Sequence, residues 1–249
     1  MDVYQLWAAG GMAAAAIWLA WAGPRRGWRA GHLGWGILWV TVVALLIGRA
    51  GFVAREAAYF RQNPSQVVRL RRAAGIQAEA AWIGGLAAVG MWLRWRRGSI
   101  QRLWPLLGLL TPGALLVAAG AWWACRGAGC ASGIAAPADG GVRWLIAHGP
   151  NLYHEVVPRY AVQTLGALLA LAAAALGWWW GADGAAALAV YFAGTALLTL
   201  LRGDPMALVA GLRVDWLAQL TLALGIAVYG TATRAAQRRR GHEALALDR

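Results

Sequence analysis

The chain has 249 residues, of which 60% are apolar and 13% charged, against roughly 45–50% and 25% in soluble globular domains; this excludes an ordinary soluble protein and a disordered one alike. Its net charge of +13 rests on arginine, with no lysine anywhere. Because the arginines stand between long apolar runs, their natural anionic partner is a lipid headgroup and not nucleic acid.

Crossing a hydrocarbon core of roughly 30 Å takes about 20 mostly apolar residues. Seven such runs follow one another, bounded by Arg, Pro or Gly: Tyr4 to Ala22, Leu33 to Ala54, Gly75 to Leu93, Leu103 to Ala124, Ala161 to Trp180, Gly184 to Leu201 and Val214 to Gly230. No basic stretch precedes the first run, and no small-residue cleavage site follows it before Pro24-Arg25-Arg26. It reads as a retained span and not as a removable signal peptide. The expected fold is all-α: a polytopic membrane domain of seven transmembrane helices over residues 1–231, followed by a basic cytoplasmic tail over 232–249.

Arginines in short loops orient such a chain. Arg25, Arg26 and Arg29 follow the first run, Arg94, Arg96, Arg97 and Arg102 follow the third, and Arg234, Arg238, Arg239, Arg240 and Arg249 lie in the tail, twelve on one side. The other side has ten, spread over longer loops that also hold Glu56, Asp139, Glu155, Asp204 and Asp215. The bias puts the N-terminus outside and the C-terminus in the cytoplasm. Small residues such as Gly84, Gly85, Ala88 and Gly90, and Gly113 and Gly120, are expected to let helices pack closely. Trp28, Trp122-Trp123, Trp178 to Trp180 and Trp216 are expected as interfacial anchors.

A charge retained at membrane depth costs about 2.5–3.5 kcal/mol on the insertion scale, so it marks a functional candidate. Arg49, near the outer end of the second run, reads as an outward-reaching anchor or as a functional cation. Glu79, one turn into the third, is flanked by alanines and reads as a partner of Arg49 or Arg72 or as a functional carboxylate. Arg202, in Leu201-Arg202-Gly203-Asp204-Pro205, reads either as a helix-end cation paired with Asp204 or as a fork for a lipid phosphate. Cys125 and Cys130 frame Arg126-Gly127-Ala128-Gly129; they do not share one helix face, though the two glycines leave a disulfide open. The His and Cys residues do not make up a closed set of metal ligands. His148 and His154, in the outer loop with Asn151, Tyr153 and Glu155, read as solvated, although His is the side chain most readily used as a base.

The order of these features resembles prolipoprotein diacylglyceryl transferase, a seven-span family. Tyr4-Gln5-Leu6 opens the first span where the family has Tyr-Gly-Leu, and Gly48-Arg49-Ala50-Gly51-Phe52-Val53 is similar to its Arg-Leu-Gly-Tyr-Val segment. Asn63-Pro64 matches an Asn-Pro, and Gly75 to Gly85 matches in spacing a span start bearing His-Gly-Gly, with Glu79 in the position of the histidine. Cys125 to Gly133 resembles the cysteine-bearing form of a Gly-Arg-x-Gly signature whose arginine falls at Trp122, with Arg126 about a turn away. Gln163 remains from a Pro-Thr-Gln-Leu-Tyr-Glu start of the fifth span. Leu200 to Asp204, then Gly211-Leu212-Arg213-Val214-Asp215-Trp216, match the last motif and last span, with Thr199 where the family has Glu.

The resemblance implies an enzyme of the bacterial plasma (inner) membrane, its active site facing outward. The reaction moves the diacylglyceryl group of phosphatidylglycerol onto the lipobox cysteine thiol of a prolipoprotein signal peptide, without cofactor or metal. It implies Glu79 as base for the thiol and Arg202, Arg49 and Arg126 as ligands of the phosphate, with Tyr4, Asp204 and Gln163 as further site candidates. A non-catalytic relative that binds lipid or lipoprotein is the alternative.

Overall fold

Long apolar runs satisfy all their backbone hydrogen bonds internally only as helices, and the computed structural model of the chain has a helix at each of the seven predicted positions. The structure describes residues 3–68, 75–95, 103–136, 145–150, 155–179 and 184–247. The helices are α1 (Val3–Arg25), α2 (Ala30–Arg55), a short α3 (Ala57–Gln62), α4 (Ala78–Trp95), α5 (Leu103–Ala128), α6 (Val162–Trp179), α7 (Gly184–Thr199) and α8 (Val214–Leu247). Five segments, Tyr4–Arg25, Ala30–Arg55, Pro105–Ala128, Val162–Trp179 and Val214–Ala232, are long and apolar enough to cross a membrane. Of the remaining two predicted spans, α7 is apolar but has only 16 residues, and α4 carries Glu79 in its first turn and Arg94 in its last. The protein is mostly helical, and its long apolar helices suit a membrane.

Three expectations shift. The third run becomes helical only at Ala78; Gln77 before it gives its otherwise unpaired N–H to the Gly48 carbonyl at 3.0 Å and accepts the Ala81 N–H at 3.0 Å. The basic stretch after the last run continues α8 as far as Leu247, through Gly241, its Ala, Arg, Gln, Glu and Leu residues being good helix formers. Two small antiparallel hairpins interrupt the all-α expectation. One pairs β1 (Ile146–Pro150) with β2 (Val156–Tyr160), and the other pairs β3 (Leu208–Val209) with β4 (Leu212–Arg213).

The chain divides into two compact units, Ala20–Leu103 and the combination of Met1–Leu19 with Trp104–Arg249. In the first of these, α2 and α4 run antiparallel and touch through glycine. A Cβ on Gly36 would stand 2.5 Å from the Trp92 ring, and one on Gly84 would stand 2.7 Å from Ile47. In the other unit α1 lies against α5 so closely that a Cβ on Gly120 would meet the Trp7 carbonyl oxygen at 2.8 Å. Further along, the Trp18 indole N–H donates to the Leu109 carbonyl at 2.8 Å. The core of this unit holds Leu106, Leu109, Leu115, Val162, Leu188 and Phe192. Trp35, Leu46 and Ile17 point outward with 70%, 64% and 71% exposure; outward apolar side chains of this size on successive helices suit hydrocarbon and not water.

The tryptophans expected at interfaces divide in role. Trp122 turns inward, covers Gly166 and donates its indole N–H to the Tyr191 hydroxyl at 3.1 Å, because a half-buried indole N–H requires an acceptor. Trp179 is 88% exposed, as an anchor should be. Trp180 lies outside the described residues, as do Arg72, His154, Asn151 and Tyr153.

Candidate functional site

At one end of the larger unit the segments carrying the sequence motifs come together. The chain leaves α5, passes through Gly129 (φ 71°) and Ala131 (φ 51°), and turns back. Cys125 and Cys130 are joined in a disulfide across this reversal, so the glycine-framed segment does bend, as the sequence left open. The returning residues 132–136 lie between two neighbours and hydrogen-bond both. On one side Ile134 N–H donates to the Leu201 carbonyl and Gly203 N–H to the Ser132 carbonyl, each at 2.8 Å. On the other, Tyr160 N–H donates to the Ile134 carbonyl at 3.1 Å and Ala136 N–H to the Pro158 carbonyl at 2.9 Å. Only glycine fits at 133, where a Cβ would stand 2.2 Å from the Tyr160 carbonyl oxygen. Gln163, in the first turn of α6, donates its side-chain amide to the Cys130 carbonyl at 3.0 Å.

Four charges close this end. Arg202 follows α7, and its three guanidinium nitrogens all reach carboxylates: Nε to Asp204 Oδ1 at 2.8 Å, Nη2 to Asp204 Oδ2, and Nη1 to Asp215 Oδ2 at 3.1 Å. Arg213, on β4, forms a two-pronged pair with Asp215, Nε to Oδ1 at 3.1 Å and Nη2 to Oδ2 at 3.0 Å. It also donates Nη1 to the carbonyls of Asp204 at 3.0 Å and Arg202 at 3.3 Å. Asp215 has no exposed surface. It sits in the first turn of α8, the helix end that favours an anion, and accepts the Trp216 N–H at 3.0 Å. Two cations and two anions balance, and charge-assisted bonds of this kind compensate the desolvation that burial imposes.

The remaining candidates of this unit lie outside the cluster. Arg126 is exposed, with its guanidinium 5.5 Å from the centre of the Trp123 ring. Tyr4, at the start of α1, is 42% exposed. Arg213 and Asp215, which the sequence reading does not single out as site residues, complete the cluster. The signal that marks them is a repeated Arg-x-Asp, Arg202-Gly203-Asp204 and Arg213-Val214-Asp215.

In the other unit Arg49 is buried on α2 and holds the chain that follows α3. Its Nε donates to the Val67 carbonyl at 2.9 Å, Nη2 to Gln66 at 2.7 Å and Nη1 to Gly75 at 3.2 Å. The rings of Phe60 and Phe52 lie 5.1 and 5.5 Å from its guanidinium carbon. An outward-reaching anchor would leave the head in water; this one is wrapped by carbonyls and aromatic faces. Glu79 is buried in the first turn of α4, where the helix dipole favours a carboxylate. The residue directly before Gly84-Gly85 is Ile83, one turn further along.

Among the described residues no group of three or more His, Cys, Asp or Glu is placed to hold a metal ion. Neither a protein-family model nor a curated protein matches the chain.

Proposed function

We propose that the chain is a seven-span protein of a bacterial inner membrane, N-terminus outside and C-terminus in the cytoplasm, that transfers the diacylglyceryl group of phosphatidylglycerol to the lipobox cysteine of prolipoproteins. The observation that supports this most is convergence. The cysteine-bearing segment, Gln163 and the Arg202 motif, separate in sequence and all part of the resemblance, are joined by hydrogen bonds at one end of one unit. The Cys125–Cys130 disulfide agrees with an oxidising, outward-facing location for that end.

In this reading the thiolate forms a carbon–sulfur bond to the glyceryl carbon while the bond from that carbon to the phosphate oxygen breaks. The thiol proton passes to a base, and glycerol phosphate leaves. Arg202 holds and neutralises the phosphate, which takes the place of Asp204 at the guanidinium fork. The base role is given to Glu79 by the resemblance alone.

The second reading is a lipid- or lipoprotein-binding relative without catalysis, and one observation favours it: every guanidinium nitrogen of Arg202 already has a carboxylate partner. The test is transfer of labelled glyceryl from phosphatidylglycerol to a lipobox peptide in proteoliposomes, alongside rescue of cells depleted of their own transferase. Transfer above protein-free vesicles supports the enzyme. Saturable binding of the lipid or peptide without transfer supports the relative, and neither result removes both readings.

A further inference from the structure

Between α7 and α8 the chain projects as the β3–β4 hairpin, and its tip from Ala207 to Leu212 contains no polar side chain. Leu208, Val209 and Leu212 are 62%, 57% and 46% exposed, an unusual amount of aliphatic surface for six residues beside an ion cluster. The hairpin cannot fold back to hide it. Val214 N–H donates to the Ala207 carbonyl at 3.0 Å, and Arg213, on the second strand, is bonded to the Asp204 carbonyl and to Asp215.

The turn adds an independent observation. Ala210 and Gly211 both have positive φ, 51° and 78°, the signature of a primed two-residue turn. Asn or Asp at the first of these positions would adopt that conformation at least cost; alanine adopts it under strain. An apolar residue where a polar one is easier to fold makes sense if the tip is out of water, where an amide would lack partners. The second strand runs directly into α8, an apolar helix, which keeps the hairpin beside the end of that helix.

We propose that the β3–β4 tip dips into the acyl boundary of the leaflet around the ends of α7 and α8, a shallow monotopic anchor with the Arg202–Asp215 cluster at headgroup level. The two residues of each strand reach roughly 7 Å at about 3.3 Å each, within the roughly 5–10 Å depth of interfacial elements. The free backbone edges of a two-stranded hairpin limit it to that boundary, since open edges are not tolerated deeper. This inference does not depend on the transfer reaction.

The test uses the full chain in vesicles of phosphatidylglycerol and phosphatidylcholine, with Val209→Cys carrying an environment-sensitive fluorophore, the two native cysteines being joined to each other. A probe at Leu197→Cys, on the outer face of α7, is the lipid reference; the same probe on a soluble peptide is the water reference. The expected result is quenching by lipids spin-labelled near the top of the acyl chain at a level close to that at Leu197, with several-fold protection from iodide. Emission and iodide quenching equal to the soluble peptide would overturn the proposal. Protection from both quenchers would also overturn it, because a second copy or another protein would then cover the tip. Leu212→Cys repeats the measurement from the second strand should the Val209 variant fold poorly, and is read by the same outcomes.

Discussion

Arg202 and Asp215 stand 3.1 Å apart, and the aspartate, fully shielded from solvent, serves Arg213 with the same carboxylate. One buried anion thereby ties the segment after α7 to β4 and to the first turn of α8. Asp215→Ala leaves two guanidinium groups without it, and loss of one partner from a buried ionic network costs about 3–5 kcal/mol. Unfolding followed by tryptophan fluorescence in detergent should show a clearly lowered midpoint. A variant as stable as the parent would mean the network does not hold these elements together.

Arg202→Ala should behave differently. Asp215 keeps both prongs of Arg213, and Asp204 keeps Arg213 at 3.6 Å, so the loss of stability should be smaller than in Asp215→Ala. Under the proposed function transfer disappears all the same, and Arg202→Lys recovers only part of it, because a point charge lacks the two-pronged fork. Full transfer by an inserted Ala variant removes Arg202 from the mechanism.

For Arg49 the prediction is local. Its three carbonyl partners lie at Gln66, Val67 and Gly75, and hydrogen bonds involving a charged group contribute about 1.5–3 kcal/mol each. Arg49→Ala should raise amide exchange over residues 59–68 by orders of magnitude. Arg49→Lys should restore little, since one ammonium on a flexible stem does not span three carbonyls. Unchanged exchange in both variants would leave the arginine free for a ligand.

The helices were legible because period and length act locally: runs such as Leu33 to Ala54 need no partner to be apolar for twenty residues. What stayed hidden depends on partners. Whether Arg49 reaches outward or is wrapped by its own chain turns on residues up to 26 positions away, which no helical spacing reports. Trp122 at a span end looks like an anchor until Tyr191, 69 residues on, supplies an acceptor. The hairpins were missed because β1 and β2 have no clear alternation, and β3 and β4 have two residues each. The Arg202 and Arg213 pairs were the part of the site open to a closer reading, since an arginine and an aspartate two apart occur twice within fourteen residues.

The topology assigned from twelve arginines opposite ten predicts that a reporter active only in the cytoplasm works when fused after α8, and that one active only outside does not. The helix continues to Leu247, so the fusion needs a flexible linker to avoid straining the last turns. The reverse result would place the Arg202 cluster and the disulfide on the cytoplasmic side, where reducing conditions disfavour Cys125–Cys130 pairing.

Glu79 separates chemistry from architecture. As the base, Glu79→Gln keeps size and hydrogen bonding but takes no proton, and transfer should fall by something like 10²–10⁴-fold. Glu79→His should then keep measurable activity, because an imidazole can also accept a proton. As a structural carboxylate balancing Arg49, Glu79→Gln should lower stability instead. In that case Arg49→Ala should be milder when combined with Glu79→Ala, since the pair of changes leaves no single charge buried. The double variant decides between the two: if it is stable and transfers lipid, Glu79 is not the base, whereas a folded double variant that binds phosphatidylglycerol without transferring it is what proton abstraction by Glu79 requires.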